Sequence, residues 1–303
     1  MAAESSDQAG AASHVAGRAP GTAMAGQWTQ VWRRYRRDKA ALVSGVIVTV
    51  LVLVAVFAPW LAPYDYTQQV MANRYATPGG ANLLGTDHLG RDVLSRLMFG
   101  ARISLMVGLI SVGIAVTFGV AIGAVAGYLG GKTDMGLMWV MDLILAFPAL
   151  LLAITIASAL GPSVTNAMIA IGIVNIPAFA RLVRSSVLSI RGQEFVEAAR
   201  AIGAGSARII ALHIVPNVLA VVIIRATASL GFAILTEASL SFLGLGAQPP
   251  DPSWGGMLND GRESIRRVAH LTTLPGLCIV VTVLAFNLLG DGLRDALDPR
   301  LKH

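Results

Sequence analysis

The sequence predicts an all-α integral membrane protein with six transmembrane helices, and three observations lead to this fold class. The 303 residues are 55% hydrophobic and only 13% charged, with a mean hydropathy of +0.67. Because soluble domains carry about 25% charged residues, this composition excludes a soluble enzyme and a disordered or fibrous protein. The apolar residues form long runs, and the short alternating segments of a membrane β-barrel are absent.

Six apolar runs are candidates for the spans, since about 20 helical residues cross a hydrocarbon core about 30 Å thick. The fourth run is the weakest, and Arg181 and Arg184 extend it because their long side chains can reach the interface. The fifth run contains Arg225 and Glu237. The runs cover residues 40–61, 103–129, 143–160, 164–180, 218–246 and 271–289.

The basic residues predict the orientation of the chain. If the N-terminus is cytoplasmic, 15 of the 23 Lys and Arg residues lie in inside segments and seven lie outside. This excess favours a multi-pass protein with both termini in the cytoplasm. Residues 28–37 combine Trp, Tyr and Arg as an interfacial anchor, and no cleavable signal peptide is recognised. A single cysteine, Cys278, excludes a disulfide framework.

The composition of the connection between the fourth and fifth runs predicts regular secondary structure. Strong helix formers occupy residues 194–202, and the glycines at 203 and 205 end that helix. A second short helix follows, with Ser206 as its predicted N-cap, and Pro216 lies where the next span begins. Two short helices at an angle, lined by small residues, form a compact surface that another protein can bind.

Part of this connection resembles the EAA coupling loop of ABC importer permeases. The matching residues are Glu197, Ala198, Ala199, Gly203 and Ala204, followed by His213 and Pro216. Residues 84–102, 237–246 and 287–301 resemble the dipeptide and oligopeptide branch of that family, specifically its second permease subunit. Together these stretches cover nearly the whole chain after residue 30.

This resemblance implies a type I ABC importer permease fold in a prokaryotic inner membrane. It implies a heterodimer with a second permease, two ATPase subunits that bind ATP and Mg²⁺, and an external solute-binding protein. The coupling loop then transmits the closure of the ATPases to the membrane helices. This chain is expected to have no cofactor, no catalytic residue, no metal and no nucleic-acid partner. A valine at Gly203 is expected to damage transport by overfilling the bend.

Four segments follow from these assignments. Residues 1–30 are a disordered cytoplasmic tail, and residues 31–101 hold the interfacial anchor, the first span and an external loop. Residues 102–292 form a five-helix core whose coupling loop covers about 190–216. Residues 293–303 are a cytoplasmic C-terminal tail.

Ionisable residues at membrane depth are costly and are therefore functional candidates. Asp142, Arg225 and Glu237 qualify. One interpretation is that they form bonds within the helix bundle. The other is that Arg225 or Glu237 faces the translocation path and contacts a charged end of the substrate. The glycines at 119, 123 and 127 predict close helix packing against a partner that the sequence does not identify.

Several alternatives have weaker support. Residues 126–133 fit a relaxed P-loop pattern, but they follow an apolar helix instead of a β-strand, so nucleotide binding is assigned to another chain. The dispersed histidines form no metal motif, and the two aspartates that an intramembrane protease needs lack their flanking motif. A stand-alone secondary transporter would need inverted repeats, which are not recognised. Within the importer family, glutathione, nickel chelates and sugars are alternatives to peptides.

Overall fold

The computed structural model describes residues 38–297, which form an all-helical bundle. Five of its helices are long and apolar enough to cross a membrane, and the number is six if a bent pair of helices forms one span. The predicted fold class is thereby confirmed. In chain order the helices are α1 (Lys39–Leu61), α2 (Val93–Leu129), α3 (Gly131–Leu145), α4 (Ala149–Leu160), α5 (Val164–Ile190), α6 (Glu194–Ala201), α7 (Ser206–Ile209), α8 (Val215–Phe242), α9 (Trp254–Gly261) and α10 (His270–Leu297).

The first span, α1, lies at the edge of the bundle. Its N-terminus is capped by the Asp38 carboxylate, which accepts hydrogen bonds from the backbone N–H groups of Ala40 and Ala41. Its buried residues are small, whereas large side chains such as Val50 and Val56 are exposed. An apolar helix with a large exposed apolar surface is suited to contact with lipid. The predicted tail and the predicted anchor precede residue 38 and lie outside the described residues.

The centre of the bundle is the contact between α2 and α5. A Cβ added at Gly119 would lie 2.5 Å from Phe179 Cβ, and one at Gly127 would lie 2.8 Å from Val187 Cβ. Gly123, between them, faces the backbone of Ala180. The three glycines therefore let two helices of the same chain approach closely, and their packing partner is α5.

The third predicted span differs from the expectation. Residues 143–160 do not form one helix, because α3 and α4 meet at 89° around residues 146–148. Pro148 disfavours helical backbone in the residue before it, and it has no N–H to donate to the preceding turn. Two ion pairs connect α3 to α5: Asp134 to Arg184 at 2.5 Å and Asp142 to Arg181 at 2.6 Å.

The ends of three other spans also differ from the sequence prediction. The second span begins at Val93, ten residues before the apolar run, because the Asp92 carboxylate caps it by accepting from the Ser95 N–H. The fifth span begins at Ser206 instead of residue 218. The last helix continues to Leu297, past the predicted start of the tail at 293. In each of these spans the helix is longer than its apolar run.

The two predicted external segments pack against each other. Trp254 of α9 is buried and donates from its indole Nε1 to the Leu97 carbonyl of α2 at 3.0 Å. The buried Arg91 donates to Asp87 at 2.6 Å and lies 3.5 Å from Asp260 of α9. Buried ion pairs are strongly orienting because breaking one leaves an uncompensated charge. These contacts fix residues 63–92 over the segment that leads into α10.

Candidate functional site

The predicted coupling loop is built around α6, which ends at a glycine. Gly203 has a φ of +83°, and its N–H donates to the Arg200 carbonyl at 3.0 Å. The Ala204 N–H donates to the Ala199 carbonyl at 3.1 Å. This pair of bonds is a Schellman cap, which needs a residue in the left-handed region at the glycine position. The sequence prediction of a helix that ends just before Gly203 is confirmed.

One face of α6 is anchored to the membrane bundle. Val196 and Ala199 are buried in the same apolar cluster as Val187 of α5. Arg200 donates to the Tyr128 hydroxyl at 3.5 Å, and Arg191 donates to the Gly127 carbonyl at 3.1 Å. The bond to Tyr128 raises the pKa of the Arg200 guanidinium, which favours its charged form. The loop is thus connected to the end of α2 as well as to α5.

The second half of the loop corrects two details of the prediction. Ser206 is the first residue of α7, and the cap is Gly205, whose carbonyl accepts from the Ile209 N–H. The short helix is also not a separate element, because α7 continues through a π-helical turn (Ile210–Ile214) into α8. Pro216 cannot donate to the turn before it, and a wider turn accommodates that missing bond. His213 lies in this turn, and its carbonyl accepts from Asn217.

The opposite side of the loop is exposed. Glu197 and Ala198 lie on the surface, with Glu194 in the same first turn of α6. Ile202 is 86% exposed and Leu212 is 63% exposed, which is unusual for large apolar side chains. Neither residue is among the sites that the sequence predicts. The helical period places Ile202 on the exposed face of α6, because it lies four residues after Ala198 and seven after Phe195.

The three ionisable residues at membrane depth have different surroundings. Asp142 is exposed and paired with Arg181, and Arg225 of α8 is exposed. Glu237 is only 1% exposed, and it accepts hydrogen bonds from Ser104 of α2 at 3.1 Å and Ser241 at 2.7 Å. The contacts of Glu237 are those of a bond between helices within this chain. No group of three or more His, Cys, Asp or Glu side chains in residues 38–297 is arranged to bind a metal ion.

The contacts of Glu237 give a testable prediction. Glu237→Ala removes the acceptor for two buried serine hydroxyls, so we expect a loss of about 1–3 kcal/mol in stability. The measurement is the thermal unfolding temperature of the purified protein, with Arg225→Gln as the exposed control on the same helix. Transport per folded molecule is expected to stay unchanged. A variant as stable as the parent but inactive in transport would instead place Glu237 in the path.

Comparison with known proteins assigns this helical bundle to a family. Residues 119–303, more than half of the chain, match the model of the binding-protein-dependent transport system inner membrane component. The chain belongs to this family of importer permeases. Residues 26–78 match the N-terminal transmembrane domain of oligopeptide transport permease C. The permease is therefore a multi-pass inner-membrane subunit of a bacterial ABC importer, and it functions with an ATPase and a binding protein instead of acting as a catalytic chain.

Three relatives show which members of this family the permease resembles. The permease is 48% identical to the dipeptide transport system permease protein DppC of Alkalihalophilus pseudofirmus over 275 residues, 91% of this chain and 90% of the relative. It is 46% identical to the di/tripeptide permease DppC of Pseudomonas aeruginosa, covering 90% and 92% of the two chains. It is 44% identical to the glutathione permease GsiD of Pectobacterium atrosepticum, covering 91% and 92%.

A solved structure supports the fold. An inward-facing structure of the MetNI methionine ABC transporter aligns with a TM-score of 0.55 at 18% identity, covering 67% of this chain and 97% of that chain. At this identity the likeness concerns the fold alone. The family match and the relatives agree with the family that the coupling-loop residues predicted from the sequence.

Proposed function

We propose that this permease forms half of the translocation path for di- and oligopeptides, with a second permease forming the other half. The observation that carries this proposal is the 48% identity to a dipeptide permease along 91% of the chain. Glutathione is the second candidate, because a glutathione permease is 44% identical over a similar length. Glutathione is itself a small peptide with free charged ends, so both candidates belong to one chemical class.

In the proposed complex, two ATPase subunits bind at the cytoplasmic side, where both termini of this chain also lie. Glu197, Ala198, Ala199, Gly203, Ala204, His213 and Pro216 are the proposed coupling residues. The support is geometric: α6 exposes Glu197 and Ala198 while its opposite face packs on the bundle through Val196. A small, rigid and exposed helix can transmit a push from a partner without local deformation. Arg225 stays a candidate for the path because its side chain is exposed.

The substrate proposal is tested on the assembled importer. The permease, its partner permease, the ATPases and the binding protein are co-expressed and reconstituted in nanodiscs, and ATP hydrolysis is measured with dipeptides, pentapeptides or glutathione. We expect the peptide-loaded binding protein to stimulate hydrolysis. Stimulation by glutathione alone would assign that substrate instead. A chain that never assembles with the ATPases would contradict the importer role.

Glu197 gives a prediction for the coupling loop in the same assay. Because its carboxylate is exposed on the outer face of α6, Glu197→Ala is expected to lower stimulated ATP hydrolysis several-fold without changing the thermal stability of the permease. Glu194→Ala is the matched control, since Glu194 lies one turn earlier on the same helix and is outside the motif. Equal losses in the two variants would show a general charge effect on α6, and no loss in either would remove Glu197 from the coupling contact.

A further inference from the structure

An unusual group of arginines lies on the predicted outer side of the permease. Arg262, Arg266 and Arg267 follow α9, and Arg74 lies in the external segment after α1. All four side chains are exposed, whereas Arg91 and Arg96 on the same side are buried in ion pairs with Asp87 and Asp260. External segments of membrane proteins are normally poor in basic residues. Exposed arginines in such a place therefore indicate a function of their own.

Tyr75 joins the two parts of this group. Its hydroxyl accepts a hydrogen bond from Ser264 at 2.9 Å, and the Arg74 guanidinium lies 5.0 Å from the centre of its ring. The bond from Ser264 and the charges of Arg74 and Arg267 lower the pKa of Tyr75. The two external segments thus bring Arg74 and Arg267 close to the same tyrosine. We call Arg74, Arg262, Arg266 and Arg267, with Tyr75 between them, the external arginine surface.

The backbone of Tyr75 adds an independent observation. Tyr75 has a φ of +57°. Within residues 38–297 it is the only residue other than glycine that lies in the left-handed region. Its N–H donates to the Asp87 carbonyl at 3.1 Å, and Asp87 is the partner of the buried Arg91. Backbone of this kind is strained for an L-residue and persists where the surroundings impose it. The buried ion pairs thereby fix the position of the external arginine surface.

The external arginine surface carries an excess of positive charge. In residues 262–267 the only acidic residue is Glu263, and the nearby Asp260 is already 3.5 Å from Arg91. Surface charges of one sign attract a partner of the opposite sign and increase its association rate. The macromolecule that must reach this side of an importer is the soluble binding protein. A single exposed arginine next to the apolar part of a span, such as Arg102, would be sufficient for a lipid headgroup.

We propose that the external arginine surface is the docking site for an acidic patch on the solute-binding protein. This inference rests on the proposed function, because it assumes that a binding protein delivers the substrate to this permease. The contact is electrostatic and exposed, so it sets the association rate and its salt dependence more than the lifetime of the complex. Substrate transfer then begins from an orientation that the fixed arginines select.

The test measures binding of the substrate-loaded binding protein to the assembled importer in nanodiscs. Arg266→Glu and Arg267→Glu are each expected to raise its Kd by roughly five- to tenfold at low salt. The difference is expected to shrink as salt screens the charges. Arg102→Glu, an exposed external arginine outside the surface, is the matched control. Basal ATP hydrolysis without binding protein checks that each variant is folded and assembled.

Three outcomes would overturn the inference. If the reversals and the Arg102 control change the Kd equally, the surface has no special role. If the reversals leave the Kd and its salt dependence unchanged, the binding protein docks elsewhere. If the effect occurs only in nanodiscs with anionic lipid, the arginines bind lipid headgroups. Failure of the proposed function is distinguishable, because then the unmodified importer would also show no stimulation by peptide-loaded binding protein.

Discussion

Gly203→Val is expected to abolish most of the binding-protein-stimulated ATP hydrolysis of the assembled importer. The glycine has a φ of +83°, and a left-handed conformation costs an L-residue about 1–2 kcal/mol, with β-branched residues the least tolerant. The strain is placed on the Schellman cap that ends α6, an element of only eight residues. Loss of that cap would displace Ala204 and the start of α7 relative to α6. The measurement is hydrolysis in nanodiscs, which we expect to fall roughly tenfold.

The physical cause differs from the one that the sequence suggested. No atom lies within 4 Å of a Cβ added at Gly203, so the expected damage comes from backbone strain and not from overfilling of the bend. Gly192→Val is the matched control, because Gly192 also faces open space in this loop but has no positive φ. Equal activity of the two variants would contradict the role of the cap.

Gly123→Val is expected to have the largest effect on folding. Its added Cβ would lie 2.9 Å from Val183 Cβ and closer still to the Ala180 carbonyl, which is backbone and cannot move aside. Overpacking of this kind costs about 1–3 kcal/mol, and the rest of the valine side chain adds to it. We expect a lower unfolding temperature and a much lower yield of monodisperse protein. Size-exclusion chromatography and thermal unfolding in detergent measure both quantities.

Gly113→Val on the same helix provides the control. No atom lies within 4 Å of the position where its Cβ would be built, so the additional methyl groups are expected to be accommodated. This variant should match the parent in yield and unfolding temperature. If Gly113→Val were as damaging as Gly123→Val, the loss would reflect the helix itself and not its contact with α5.

The sequence predicts the parts of this fold that depend on local chemistry. Long apolar runs predict the spans, and the glycine after α6 predicts where that helix ends. The glycines on α2 predict a close contact, but their partner depends on which helix packs there, and this is not encoded locally. The sequence alone does not predict the 89° bend at Pro148, because many membrane helices contain proline without such a break. Pro177 and Pro275 lie inside continuous helices here.

In the candidate site, too, local sequence predicts some features and tertiary packing determines the others. Helix propensity and glycine placement predict α6, whereas the burial of Val196 and Ala199 depends on which helices of the bundle pack against that face. The surroundings of Glu237 depend on Ser104, which is 133 residues away in the chain. Distant pairings of this kind are set by tertiary packing. For that reason the sequence alone left both interpretations of Glu237 open.

The continuity of Ser206–Phe242 has a mechanical consequence. These 37 residues form one rod about 55 Å long, and its two ends lie on opposite sides of the bundle. If the rod tilts about one end, the other end moves about 1 Å for each degree. The far end carries Glu237, bonded to Ser104, and Ala238, against which Gly255 packs. If the ATPase acts on the proposed coupling loop, a small push there becomes a larger displacement of the outer segments at the other end of this helix.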